Sequence, residues 1–96
     1  MIKLEKRISN FSIFENYHDR QVVLNYYEDE DFLWKRDGFH FDKIQFLNGV
    51  LLFTKKDGRT FSISIKDYET VSLNTDFQNY FMLRKGCDRM EMYFPN

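Results

Sequence analysis

Two dipeptides constrain this chain more than anything else in it: Asn48-Gly49 and, nine residues later, Asp57-Gly58, each set between apolar runs. A tight hairpin turn needs positive φ at its central residues, and Asn-Gly and Asp-Gly tolerate that better than other pairs. The segment FHFDKIQFLNGVLLFTKKDGRTFSISIKDY therefore reads as a three-stranded antiparallel meander over residues 39–66, with strands near 39–47, 50–56 and 59–66. In the third strand Phe61, Ile63 and Ile65 alternate with Ser62, Ser64 and Lys66, so one face is apolar and the other wet. In the first, Phe39 and Phe41 share one parity while Ile44 and Phe46 share the other, which asks for a bulge or bend near Asp42-Lys43.

The rest of the chain extends this pattern. Val22, Leu24 and Tyr26 alternate with Val23, Asn25 and Tyr27, predicting a well-buried strand. The N-terminal residues Ile2, Leu4, Phe11 and Ile13 also read as extended. The acidic run Glu28-Asp29-Glu30-Asp31 breaks the strand, and Phe32 to Lys35 resumes one before Asp37-Gly38, which reads as a third hairpin turn. Near the C-terminus Thr75, followed by Asp76, Phe77 and Gln78, has the form of a helix cap, predicting a short helix over 76–82. Gly86 then turns the chain into a closing strand through Met90, Met92 and Phe94. With 96 residues, 19% aromatic side chains and no alanine, one β-rich domain spanning 1–96 is expected. The fold class is α+β, mainly antiparallel sheet with one helix. The alternative is an all-β barrel or sandwich in which 76–82 is extended or a turn.

The stretch from Ile44 to Pro95 resembles the domain-of-unknown-function 2442 family of small bacterial proteins. The resemblance rests on Leu51-Leu52-Phe53-Thr54 leading into Asp57-Gly58-Arg59-Thr60, on Ile63 to Tyr68, on SLNTDFQNYFMLRKG at 72–86, and on MEMYFP at 90–95. Asp76 stands where that family favours proline, and Tyr93-Phe94 replaces its His-Trp pair. The resemblance implies a small α+β domain, sometimes beside a helix-turn-helix domain or near toxin–antitoxin genes. It implies no activity.

Composition narrows the function classes. The net charge of −1 lacks the basic excess of a phosphate-binding surface, so direct nucleic-acid binding is not expected. Cys87 has no partner for a disulfide, and no apolar run reaches the ~20 residues of a membrane span. A cytoplasmic protein without a membrane or cofactor is the natural expectation. His18 and His40 have no metal-ligand spacing and read as surface residues. Cys87, between Lys85 and Arg89, has no adjacent base, and Lys55, Lys56 and Arg59 read as solubilising charge on a turn. No catalytic or metal-binding residue is expected.

Phe46, Phe53 and Phe61 read as core; Tyr17, Tyr26, Tyr27 and Trp34 read as surface aromatics. The candidate partner-binding set is Tyr26, Tyr27, Glu28, Asp29, Glu30, Asp31 and Trp34, an acidic loop flanked by aromatics. Three functions are consistent with it. The first is a non-enzymatic binding or regulatory module acting through protein–protein contact, with a homodimer through an exposed strand edge as one form. The second is a phage- or mobile-element-encoded inhibitor that imitates phosphate charge against a host nucleic-acid-binding enzyme. An enzyme with a divergent site ranks last.

Overall fold

The strand patterns assemble into a single antiparallel sheet of eight strands, in the order β1-β6-β7-β8-β2-β3-β4-β5. The computed structural model describes residues 5–29 and 31–95. Its strands are β1 (Glu5–Arg7), β2 (His18–Glu28), β3 (Phe32–Leu47), β4 (Val50–Thr54), β5 (Thr60–Ser64), β6 (Thr70–Asn74), β7 (Tyr80–Lys85) and β8 (Asp88–Tyr93). Two short 3-10 helices, Phe11–Asn16 and Ile65–Asp67, complete it. The sheet does not close into a barrel, and β1 and β5 are its two edges. Expected Ile2 and Leu4 lie outside the described residues.

The expected meander is present as β3, β4 and β5. Asn48 and Gly49 both have positive φ, 52° and 76°, which joins β3 to β4 in two residues. A Cβ on Gly49 would lie 2.9 Å from the Lys66 Cβ, so space as well as backbone angle demands glycine there. The second turn is wider than a two-residue one. Gly58 N–H donates to the Lys55 carbonyl (3.0 Å) and Lys55 N–H to the Arg59 carbonyl (2.8 Å), with Gly58 at φ 89°. That is a three-residue loop, so β4 stops at Thr54 and β5 starts at Thr60.

Three expectations about secondary structure need correction. Asp37-Gly38 is not a turn: β3 runs straight through it, with Gly38 opposite Val23. Residues 76–82 are not helical. The Asn74 side chain accepts from the N–H groups of Asp76 (2.8 Å) and Phe77 (3.1 Å), so the local cap belongs to a turn. From Tyr80 the backbone is bonded between β6 and β8, and this pairing on both sides overrides the helical signal. Phe11 to Asn16, expected extended, is a 3-10 helix whose entry is held by Asn10 accepting from Ser12 N–H (3.3 Å) and Ser12 hydroxyl (2.6 Å).

Buried side chains fall on alternate positions: Val22 and Leu24, Leu51 and Phe53, Phe81 and Leu83, Met90 and Met92. They share one face of the sheet, and the first 3-10 helix seals it. Phe14 packs edge-on to Phe81 with ring centroids 4.7 Å apart; Phe94 lies near Phe41 (5.9 Å) and Phe81 (6.1 Å). Tyr17, expected on the surface, instead stacks on Phe94 at 4.0 Å and donates to the Asn79 side chain (2.8 Å). The parity change in β3 is real, since Phe41 and Ile44 are both buried. It coincides with Asp19 on β2, at φ 50°, where the ladder passes from Arg20–Phe41 to His18–Lys43 without an Asp19–Asp42 pair.

Candidate functional site

β2 and β3 are the longest strands, and their far end carries the residues singled out in the sequence. β2 ends at Glu28, Asp29 takes φ 49°, and Asp31 N–H donates to the Asp29 carbonyl (2.8 Å). Glu30 lies outside the described residues. Returning along β3, Leu33 pairs with Tyr27 and Lys35 with Tyr26, which leaves Trp34 as the extra residue of a bulge. A bulge re-aims a side chain out of the regular alternation. Here it sets the Trp34 ring 5.7 Å from Tyr26 and leaves it half-exposed.

The arrangement brings part of the predicted set together. Tyr26, Tyr27, Glu28 and Trp34 line one cleft of about 390 Å³, facing Ser64, Tyr68, Lys85 and Arg89 from distant parts of the chain. Asp31 does not join them. It borders a smaller hollow of about 260 Å³ with Arg84, Gly86 and Arg89. Asp29 is exposed at the turn.

Burial pushes the Tyr26 hydroxyl above its ordinary pKa of 10.0, helped by Tyr68 and Asp37; Tyr68 is raised by burial and then by Asp67. Both phenols therefore keep their protons at ordinary pH. Lys35 holds its ammonium 5.2 Å from the Tyr26 ring centroid, a cation–π contact that places a positive charge among the carboxylates of the hairpin end.

Tyr27 is less free than its sequence context suggests. The Arg89 guanidinium lies 4.2 Å from its ring centroid, Arg89 Nε donates to Glu91 Oε2 (2.8 Å), and Glu91 also accepts from the Tyr80 hydroxyl. Burial first, then the Glu91 carboxylate, pushes the Tyr80 pKa far upward. This polar chain lies on the face of the sheet opposite the core. Sequence reading missed it, although the alternation of Tyr80, Met82 and Arg84 against Phe81 and Leu83 does carry the signal.

Sequence reading also missed Phe32 and Leu33. They are 62% and 38% exposed beside Trp34 at 50%. The signal was the apolar triplet itself, because three consecutive strand residues cannot all face one core. Among the described residues, Phe32 to Phe41 pair only with β2, and pairing of β3 with β4 begins at Lys43. The hairpin end therefore carries exposed apolar side chains along a strand with one open edge.

The other candidates are accounted for locally. His18 and His40 are exposed, as expected, around a hollow of about 510 Å³ with Asp19 and Arg20. Lys56 pairs with Asp19 (2.9 Å), which lowers the Asp19 pKa; Arg59 pairs with Asp57 (2.7 Å). Lys55 sits 4.7 Å from the Phe39 ring centroid, so all three cations of that turn have partners within the chain. Cys87 is exposed in the β7–β8 turn. Among the described residues no three His, Cys, Asp or Glu side chains are grouped to hold a metal ion, and no helix is long and apolar enough to cross a membrane. Comparison with protein-family models, curated proteins and solved structures finds no match.

Proposed function

We propose that this chain is a non-enzymatic binding module that acts by protein–protein contact through the far end of the β2–β3 hairpin. The observation that carries the reading is the exposed triplet Phe32-Leu33-Trp34 on an open strand edge beside an aromatic cleft. Exposed contiguous apolar groups are costly in water and mark contact sites. An open edge offers backbone N–H and C=O groups to an added strand, while neighbouring pockets read its side chains. The cleft supplies such a pocket, walled by Tyr26, Trp34 and Tyr68.

The phosphate-mimic reading draws less support from the same region. Lys35 lies against the Tyr26 ring, and Lys85 and Arg89 line the cleft with Glu28, so the hairpin end is of mixed charge. A charge mimic needs a field of one sign.

The test is retention of a partner by the immobilised full chain from cell lysate, compared with Phe32→Ser/Leu33→Ser/Trp34→Ser. The reading expects the triple variant to lose the retained protein while its melting temperature stays close to that of the parent. Equal retention by the two folded chains would refute it. Loss of retention in Glu28→Gln/Asp29→Asn/Asp31→Asn, with the apolar triplet variant unaffected, would transfer the function to the acidic residues.

A further inference from the structure

We infer that the occupant of the open β3 edge is a second copy of this chain, paired antiparallel about Leu33 and Trp34. The inference rests on the hairpin end being the contact site and names its partner. Its ground is the order of side chains from the turn into the edge: Asp31 in the turn, then Phe32, Leu33, Trp34, Lys35 and Arg36 on β3. The acidic group stands at one end, the apolar triplet in the middle and the basic pair at the other end.

A two-fold axis through the centre of such a segment makes it complementary to itself. In an antiparallel pair centred on Leu33, or between Leu33 and Trp34, each Asp31 faces Lys35 or Arg36 of the other copy. In the first register the apolar triplets lie against each other; in the second Leu33 faces Trp34 and Phe32 faces Lys35. Opposite charges across a strand pair are favourable and like charges directly opposite are not. A parallel pairing would instead set acid against acid and base against base. The edge is thus polarised to accept one orientation of its own kind.

The geometry leaves that edge available. Asp31, Phe32, Leu33, Trp34, Lys35 and Arg36 are all exposed, and β4 does not reach them. Natural sheets blunt their open edges with charged side chains, most often lysine, with proline and with bulges. This edge carries both signs in antisymmetric order, so its charges select a partner instead of excluding one. Lys35 and Arg36 also have contacts within the chain, to the Tyr26 ring and to Asn25 (2.8 Å). Those contacts run back towards β2, and both residues stay exposed.

The experiment uses charge-reversed full chains and reads mass in solution by light scattering across a concentration series, with thermal unfolding of each chain as the folding control. The wild type is expected to reach twice 11.8 kDa at high concentration. Asp31→Lys alone, and Lys35→Glu/Arg36→Glu alone, each place like charges opposite and should weaken self-association on the order of tenfold or more. Asp31→Lys also puts a cation near Arg84 and Arg89, so a lone loss of dimer is not decisive. Mixing the two variants is: every cross-strand pair is then opposite in sign, and a mixed dimer should form where neither chain pairs with itself. A wild type that stays at 11.8 kDa at every concentration overturns the inference, as does failure of the folded variants to pair on mixing. If the wild type is monomeric yet the Phe32-Leu33-Trp34 triple variant loses a different partner, only this inference fails and the contact site stands. If that triple variant still dimerises like the wild type, the contact site itself is wrong.

Discussion

The two ends of β2 use the same kinds of residue for opposite ends. At its start, Tyr17 and the rings of Phe14, Phe41, Phe81 and Phe94 pack edge-on or stacked under the first 3-10 helix, and the four phenylalanines are fully or almost fully buried. At its finish, Tyr26 and Trp34 tilt together at the mouth of a cleft, and Phe32 stands in water. Aromatic content therefore says little about where a ring goes. What separates the regions is the lid over the sheet's face, not the number of paired edges, since β2 gains its second neighbour, β8, only from Val23 onward. Phe14 of the first 3-10 helix packs on Phe81 and Glu15 of the same helix holds the end of β3, whereas the first residues of β3 have a strand neighbour only in β2 and their side chains stand exposed.

If that contrast is right, truncating a ring in the packed region should cost far more than truncating one at the hairpin end. Phe81→Ala removes the ring that touches Phe14, Tyr17 and Phe94, and should lower the unfolding free energy by about 3–5 kcal/mol in urea denaturation. A loss below about 1 kcal/mol would mean that the aromatic cluster is not the core.

The polar chain behind the sheet comes next in size. Glu91→Ala strips the partner from both Tyr80 and Arg89, and should cost about 1–3 kcal/mol. The same network predicts an alkaline response. The Tyr80 pKa is raised in the folded chain above its unfolded value of 10.0, so the unfolded state releases its proton first. The stability tied to this group is complete below pH 10.0 and is lost as pH climbs from there towards the folded value. Tyr80→Phe should flatten the fall in stability above pH 10.0, though only in part, because Tyr17, Tyr26 and Tyr68 are raised too. An unchanged slope would show that the Tyr80–Glu91 contact does not persist in solution. Tyr17→Phe deletes one hydrogen bond, to Asn79, while keeping the ring on Phe94, for an expected loss of about 0.5–1.5 kcal/mol.

Smallest of all should be the hairpin end. Phe32→Ser is expected to move the unfolding free energy by no more than about 0.5 kcal/mol, because the side chain leaves little water-free surface behind. A loss comparable to that of Phe81→Ala would erase the distinction between the two regions.

How much of this was readable in the sequence follows the same division. Local chemistry announced the meander: Asn48-Gly49 left one conformation open, and alternation after Arg59 did the rest. Where a neighbour decides, local reading failed. Thr75 to Gln78 looked like a helix start, but Tyr80 to Lys85 is claimed by two flanking strands. Gly38 looked like a turn, but β2 continues opposite it. Tyr17 looked like a surface residue because nothing nearby in sequence reveals Phe94 beneath it. Of the candidate site, Tyr26, Tyr27, Glu28 and Trp34 were readable as a group, since they lie on two strands joined by one turn. The Trp34 bulge was not, because it exists only in the register of β3 against β2. The cleft's other wall, Ser64, Tyr68 and Lys85, comes from parts of the chain far from the hairpin in sequence.

The central claim is that the last stretch of β3 is covered on both sides, by β4 and by Glu15 of the first 3-10 helix, which accepts from Phe46 N–H (2.9 Å), while the first stretch is paired with β2 alone. Amide hydrogen exchange along β3 tests it most directly. The account predicts protection at every concentration for the amides of Lys43 to Leu47 that bond to β4 and for that of Phe46, held by Glu15. Between Phe32 and Asp37 it predicts that alternate amides exchange freely in dilute solution and become protected as the chain is concentrated. Uniform protection of both stretches at all dilutions, or free exchange between Phe32 and Asp37 that no concentration and no partner suppresses, would contradict it.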